Sequence, residues 1–246
     1  MTLPSMSFLE KQKRAQEKRL MILHFLATGE VYTSLTIASR VMSCSISSAE
    51  RTLNSLVREG AIKFEQHLVQ SRKTKIFGIS PHGLALAGEF ESASFELGRT
   101  NPSYIYHHLL TQQARLQAEL AGWDGWQPGK ILYKQNLLKV PDALCVSLAG
   151  KRVAVEIERH VKTRKRYEEI ISAHLQAMSK KDWDEVHYLT TSALLIPLQK
   201  IFAHLVSIPV KGERVPVEEK HRARFKFFVL DDWPLSTEQE GNNATR

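Results

Sequence analysis

Apolar residues recur at helical spacing through the first sixty positions. Leu20, Ile22, Leu23 and Phe25 close an amphipathic stretch that ends near Gly29. A second short helix is predicted over 34–42. A third is predicted over 46–60, where Ile46, Ala49, Leu53, Leu56 and Val57 share one face. Ser45 or Ser47 can cap its start, and Gly60 can end it. The pattern then shifts to short β-rich segments at 61–66, 71–75 and 76–79 around a polar, basic turn, until Pro81-His82-Gly83 breaks the chain before another helix. Residues 90–103 read as a linker. Beyond it the pattern predicts a helix over 104–121, a loop over 122–130 and strands at 131–135, 143–148 and 152–158. A basic helix over 162–181, a strand over 186–190, a helix over 194–206 and a last strand over 225–230 follow. The expected division is residues 1–98, residues 104–232 and a disordered tail, 233–246, with an α+β fold class.

Three helices followed by a hairpin with a basic tip is the order of a winged helix-turn-helix, in which the third helix enters the major groove and the wing lies along phosphates. On the third helix Ser47, Ser48, Arg51 and Asn54 are the polar candidates for phosphate and base-edge contacts. Arg72, Lys73 and Lys75 at the hairpin would neutralise phosphates. Composition points the same way. The 246 residues carry 34 Lys and Arg against 26 Asp and Glu, a net charge of +8 that favours an anionic partner such as nucleic acid. The two cysteines form no CxxC pair, which disfavours a zinc framework. No apolar run approaches the ~20 residues needed to span a bilayer, and the first residues lack the apolar core of a signal peptide, so no membrane insertion and a cytoplasmic location are expected. No phosphate-binding glycine loop is present, which disfavours a nucleotide-driven motor.

The most informative stretch begins at Pro141-Asp142 and continues through Glu156-Ile157-Glu158 into a basic segment containing Lys162, Lys165 and Arg166. In a strand over 152–158, side chains alternate between faces, so Ala154, Glu156 and Glu158 share one side. Buried carboxylates need a cationic partner. Two are available: a hard divalent cation, Mg²⁺ or Mn²⁺, or the lysines that follow. Lys162, Lys165 and Arg166 fall on one face if the helix includes all three. Asp142 begins the strand expected to pair with that of Glu156, which brings the two acids side by side. Two acids holding a metal, with a lysine to stabilise developing charge, is what metal-assisted phosphodiester cleavage requires. Among the histidines, His160 is the candidate nearest these acids. Tyr167 is expected to pack in the core, as are Trp123 and Trp126 in a loop or lid.

This pattern resembles the PD-(D/E)XK nuclease superfamily, whose core runs helix, three strands, helix, strand. The match here is Pro141-Asp142, a gap of 13 residues, then Glu156-Ile157-Glu158, with Glu158 where the lysine usually stands. In some branches that lysine moves to the following helix, a place that Lys165 can fill, with Lys162 as second choice. Over residues 10–230 the chain also resembles plasmid mobilization relaxases of the MobC type and the related replication-relaxation family. The shared features are the helix Tyr104-Ile105-Tyr106-His107-His108-Leu109-Leu110, the Pro-Asp pair, and Glu156-x-Glu158 followed by Thr163, Lys165 and Tyr167. The resemblance implies an N-terminal winged helix-turn-helix, a C-terminal restriction-endonuclease-like domain and nicking of plasmid DNA at a transfer origin. Double-stranded plasmid DNA, relaxosome accessory proteins and a coupling protein are the implied partners. Asp142 and Glu156 carry over as metal ligands, Glu158 as a supporting acid and Lys165 as the phosphate stabiliser. The alternative is a non-catalytic DNA-binding regulator of plasmid transfer or replication.

Overall fold

The computed structural model describes residues 7–234, a mixed α+β arrangement with two antiparallel sheets, one of them a two-stranded hairpin, and one mixed sheet. The chain divides into two compact units between Gln113 and Ala114.

In the first unit, α1 (Phe8–Phe25) starts at a capping box in which Ser7 and Glu10 satisfy each other's backbone amides. It ends in a wide turn at Leu26–Glu30, where Gly29 takes a φ of 95° that its missing Cβ permits. Short strand β1 (Tyr32–Ser34), absent from the sequence expectation, leads into α2 (Leu35–Val41) and α3 (Ile46–Arg58). Ser45 caps α3 by accepting from Ser48 N. Ala49, Leu53 and Leu56 are fully buried, whereas Ile46 is half exposed and stands outside the core face. β2 (Ile62–Val69) and β3 (Arg72–Ile79) form one continuous hairpin, and β1 joins it to give the order β1-β3-β2. Val69 pairs with Arg72, so Gln70 and Ser71 alone make the turn. Their φ values of 49° and 60° place two non-glycine residues in the left-handed region that a two-residue hairpin demands.

After α4 (Pro81–Ala87), the expected linker is folded onto the unit. Phe95 is buried, its N–H bonds to Ile79 O at 2.7 Å, and its ring occupies the space beside Gly78, where a Cβ would lie 2.0 Å from Phe95 Cγ. The division therefore falls later than residue 98, inside α5 (Pro102–Leu120). Ile105 is buried against Tyr32 and Phe95, and Gln112 donates to Tyr32 O and accepts from Thr33.

The second unit is built on a five-stranded sheet. β4 (Asp124–Pro128), β5 (Ala143–Val146) and β6 (Arg152–Ile157) run antiparallel; β7 (Glu185–Thr190) and β10 (Phe225–Val229) add parallel strands, giving the order β10-β7-β6-β5-β4. The residues read as a loop carry β4, and the residues read as its strand form helical turns, α6 (Gly129–Leu132) and a 3₁₀ turn over Tyr133–Gln135. α7 (Arg164–Ser179) and α8 (Ser192–Ala203) cover one face, where Tyr167, Ile171, Leu198 and Phe202 pack on Ala154, Val186, Tyr188 and Phe225. A small hairpin, β8 (Ser207–Val210) with β9 (Glu213–Pro216), and the turn α9 (Glu219–Arg222) precede β10. Trp233, assigned from sequence to the tail, is only 2% exposed and donates from Nε1 to His187 Nδ1 at 3.0 Å, so the unit extends through it. Residues 235–246 of that tail lie outside the described residues. Among the described residues no helix is long and apolar enough to cross a membrane.

Candidate functional site

The first unit presents a basic groove between α1 and α3. Lys11, Arg14 and Lys18 line it from α1, at the i, i+3, i+7 spacing of one helix face, and Arg51 lines it from α3. Ser47, Arg51 and Asn54 are exposed on α3. Ser48 is half-buried, and its Oγ accepts from Lys18 Nζ at 3.0 Å. Arg19, on the same groove, is neutralised by Glu59. The sequence reading passed over the α1 cations because the polar start of that helix carried no apolar signal of its own. At the hairpin, Arg72 and Lys73 are exposed. Lys75 is held differently, with its ammonium 4.0 Å from the centre of the Phe64 ring and 4.9 Å from that of Phe77, a pair of cation–π contacts along the hairpin.

In the second unit two of the acids lie on paired strands. Ala143 pairs with Val155, so Asp142 stands one step beyond that pair, opposite Glu156. Asp142 Oδ2 accepts a 2.7 Å hydrogen bond from Ile157 N, which fixes its carboxylate at the end of β6. Gly129 makes this possible: its N–H bonds to Asp142 O at 2.8 Å, and a Cβ there would come within 2.8 Å of Pro141 O. Glu156 points toward α7. Its Oε1 accepts from Lys139 Nζ at 2.6 Å and lies 3.1 Å from His174 Nε2. Burial opposes its ionisation, but His174 and Lys139 outweigh it and hold the carboxyl at about 2. Burial pushes the His174 pKa down against the pull of Glu156, so the ring is neutral at pH 7.

Glu158 lies just past β6 and is 3% exposed. Both its oxygens accept from Lys162, and Tyr167 donates to Oε2 at 3.0 Å. Burial first, then the nearby Glu158, raises the Tyr167 pKa, which keeps the phenol protonated as a donor. Lys165 is not brought to this cluster. Thr163 caps α7 and the helix begins at Arg164, so Lys162 precedes the helix and shares no helical face with Lys165, which is exposed. His160 is exposed as well. Sequence reasoning missed Lys139; it weighed His174 only as one of several histidines able to bind metal, without placing it beside Glu156, and read Tyr188 as core, where it is buried. His174 was detectable: Tyr167, Ile171, His174 and Met178 recur on the buried stripe of α7.

The donor set at Asp142 and Glu156 is of the kind that takes a hard divalent cation. Two carboxylates meeting across neighbouring strands are the hard oxygen ligands that Mg²⁺ or Mn²⁺ takes, the remaining positions being filled by water or phosphate. Two buried polar atoms around them, His174 Nδ1 and Tyr188 Oη, have no hydrogen-bonding partner among the described residues. The residues fit such an ion on one condition: Lys139 must leave Glu156, since an ammonium and a cation cannot share that oxygen. Among the described residues no group of three or more His, Cys, Asp or Glu is arranged to hold an ion, so these two acids would be its ligands from the chain. No protein-family model matches this chain, and no curated protein matches it either.

Proposed function

We propose that this chain is a DNA-binding protein of the plasmid-mobilization type, which holds duplex DNA through its first unit and nicks it at Asp142 and Glu156 in its second. The observation that carries the reading is the register of β5 and β6, which sets the two carboxylates opposite each other with Lys139 on Glu156. Support for the first half is the winged-helix order of α1 to β3 and its exposed Arg51, Arg72 and Lys73, beside the α1 cations. Support for the second is the order of α5, β4, β5, β6, α7 and β7, which is the helix, three strands, helix, strand order of restriction-endonuclease-like domains with the short turns over Gly129–Gln135 inserted after the first strand. Bound by Asp142 and Glu156, Mg²⁺ or Mn²⁺ would polarise the scissile phosphate and help form the nucleophile. Lys139, freed from Glu156, is placed to donate to a phosphate oxygen, the part that the resemblance gave to Lys165. Glu158 holds Lys162 and Tyr167, so its part is to fix the start of α7.

Supercoiled plasmid carrying the DNA that flanks this coding region tests the reading. Wild type with Mg²⁺ or Mn²⁺ should yield open circles, and EDTA should prevent it. Asp142→Asn, which keeps an acceptor for Ile157 N–H while removing the charge, should bind the plasmid and leave it supercoiled. Linear products would mark a restriction-type endonuclease instead. One observation favours a second reading: Glu156 and Glu158 are each already neutralised by a lysine, as in a purely structural core. If wild type binds the plasmid yet never relaxes it with either metal, the chain is a non-catalytic DNA-binding regulator.

A further inference from the structure

A cleft of about 510 Å³ opens on the face of the second unit's sheet that α7 and α8 do not cover. Its floor holds Glu185 and His187 from β7, and Trp123, Trp233 and Phe228 supply aromatic walls. Trp233 stands edge-on to Trp123 with ring centres 5.1 Å apart, and Phe228 lies 5.0 Å from the His187 ring. These positions are locked by a hydrogen-bonded chain. Trp233 Nε1 donates to His187 Nδ1, which leaves the imidazole proton on Nε2, facing Glu185 Oε2 at 3.3 Å. The charges do not balance. Glu185 is 8% exposed and bonds both Lys151 and Lys226. One lysine suffices to neutralise a buried carboxylate. The second leaves a surplus positive charge at the mouth, where both lysine side chains are about half exposed, at 51% and 42%.

A preformed aromatic cleft of this size with an unneutralised cation at its rim suits a flat ring that carries an anion. Among the ligands a DNA-handling protein meets, an unpaired nucleotide has both parts: a base that stacks on aromatic rings and a phosphate that pairs with lysine. We infer that this cleft binds a single unpaired nucleotide, its base against Phe228 and the tryptophan pair and its phosphate on Lys151 and Lys226. The inference rests on the DNA-binding half of the proposed function and is independent of nicking at Asp142, since the cleft lies on the sheet face away from α7, toward which Glu156 points.

Quenching of tryptophan fluorescence in the full chain tests this directly, with duplex binding measured in parallel. Thymidine monophosphate should quench saturably at micromolar to millimolar concentration, thymidine should bind about fivefold or more weakly, and inorganic phosphate alone should not quench. Lys226→Met, which leaves Lys151 to neutralise Glu185, should erase the advantage of the monophosphate over thymidine while thymidine binding persists. Phe228→Leu should weaken both by about fivefold or more. An oligothymidylate that binds far more tightly than the mononucleotide would identify a DNA strand as the source, and equal affinities would identify the free nucleotide. Absence of saturable quenching by either nucleotide probe, or a Lys226→Met protein indistinguishable from wild type, overturns the inference. If duplex binding survives in that case, the cleft alone has failed; if duplex binding is also absent, the proposed function has failed with it.

Discussion

Replacing Lys139 by Met isolates the energetics of the acid cluster. The Glu156 carboxyl is held well below the ordinary Glu value of 4.5, so its ionised form contributes to folding free energy at neutral pH. The sign follows from the direction. A carboxyl whose pKa is depressed on folding stabilises the protein above about pH 4.5, and that contribution is lost as pH falls toward 2. Lys139 and His174 share the work, and burial opposes them both. Removing the ammonium therefore leaves a buried carboxylate with only a neutral imidazole beside it, at a cost of about 2–3 kcal/mol at pH 7. His174, its ring 5.5 Å from that of Trp183, ties the cluster to a fluorescent reporter, and all four tryptophans lie in this unit, so urea unfolding followed by tryptophan emission reads it. Glu156→Gln alone removes the charge and should flatten the corresponding part of the acid limb between about pH 4.5 and 2. Combined with Lys139→Met it should cost less than the two single changes added together, by about 1 kcal/mol or more. A Lys139→Met protein within about 0.5 kcal/mol of wild type at pH 7, or a double variant that is simply additive, refutes the assignment of Lys139 as the counter-charge of Glu156.

Three further outcomes are expected. Arg51→Ala and Arg72→Ala should each lower the slope of log affinity for duplex DNA against log salt by about one, read by fluorescence anisotropy between 50 and 200 mM salt; an unchanged slope removes that residue from the interface. Gly83→Ala places a Cβ 2.1 Å from Ala61 O, a backbone atom with little room to move, so it should destabilise the first unit by roughly 2–3 kcal/mol and lower its Tm by about 10 °C; a Tm within a degree or two of wild type contradicts that close approach. Tyr188→Phe removes a buried hydroxyl that has no hydrogen-bonding partner among the described residues, so stability should hold or rise by up to about 1 kcal/mol in thermal unfolding. A loss above about 2 kcal/mol would show that the hydroxyl is bonded in solution.

The helices of the first unit were legible because their apolar residues keep a 3.6-residue period and their starts carry Ser caps: Ser34 before α2 and Ser45 before α3. The first strand of the second unit was not. Asp124–Pro128 contains Gly125 and Pro128 and is irregular in register between Asp124 and Gln127, so it reads as a loop; as an outer strand of the sheet it tolerates both residues. The run Ile131-Leu132-Tyr133 fits a strand or a helical turn equally by pattern, and only the fold decides between them. Within the site, the meeting of Asp142 and Glu156 was foreseeable from a hairpin register, because pairing rules act over a few residues. The partnership of Lys139 with Glu156 was not, since Lys139 reaches it from an irregular segment whose path no periodicity encodes. The Lys165 assignment failed for a local reason: Thr163 caps the helix and starts it two residues later than the basic run suggests.

The hairpin tip of the first unit is conformationally strained. Gln70 and Ser71 sit where glycine or asparagine would rest comfortably, at an expense of roughly 1 kcal/mol per residue. Closure is thus imposed by the eight-residue ladder behind the tip rather than by any preference of the tip itself. Loosening will begin at the end that bears Arg72 and Lys73 and travel inward. The arm can therefore bend at its extremity to follow an uneven surface while its base stays zipped, behaving as a sprung finger rather than a rigid peg.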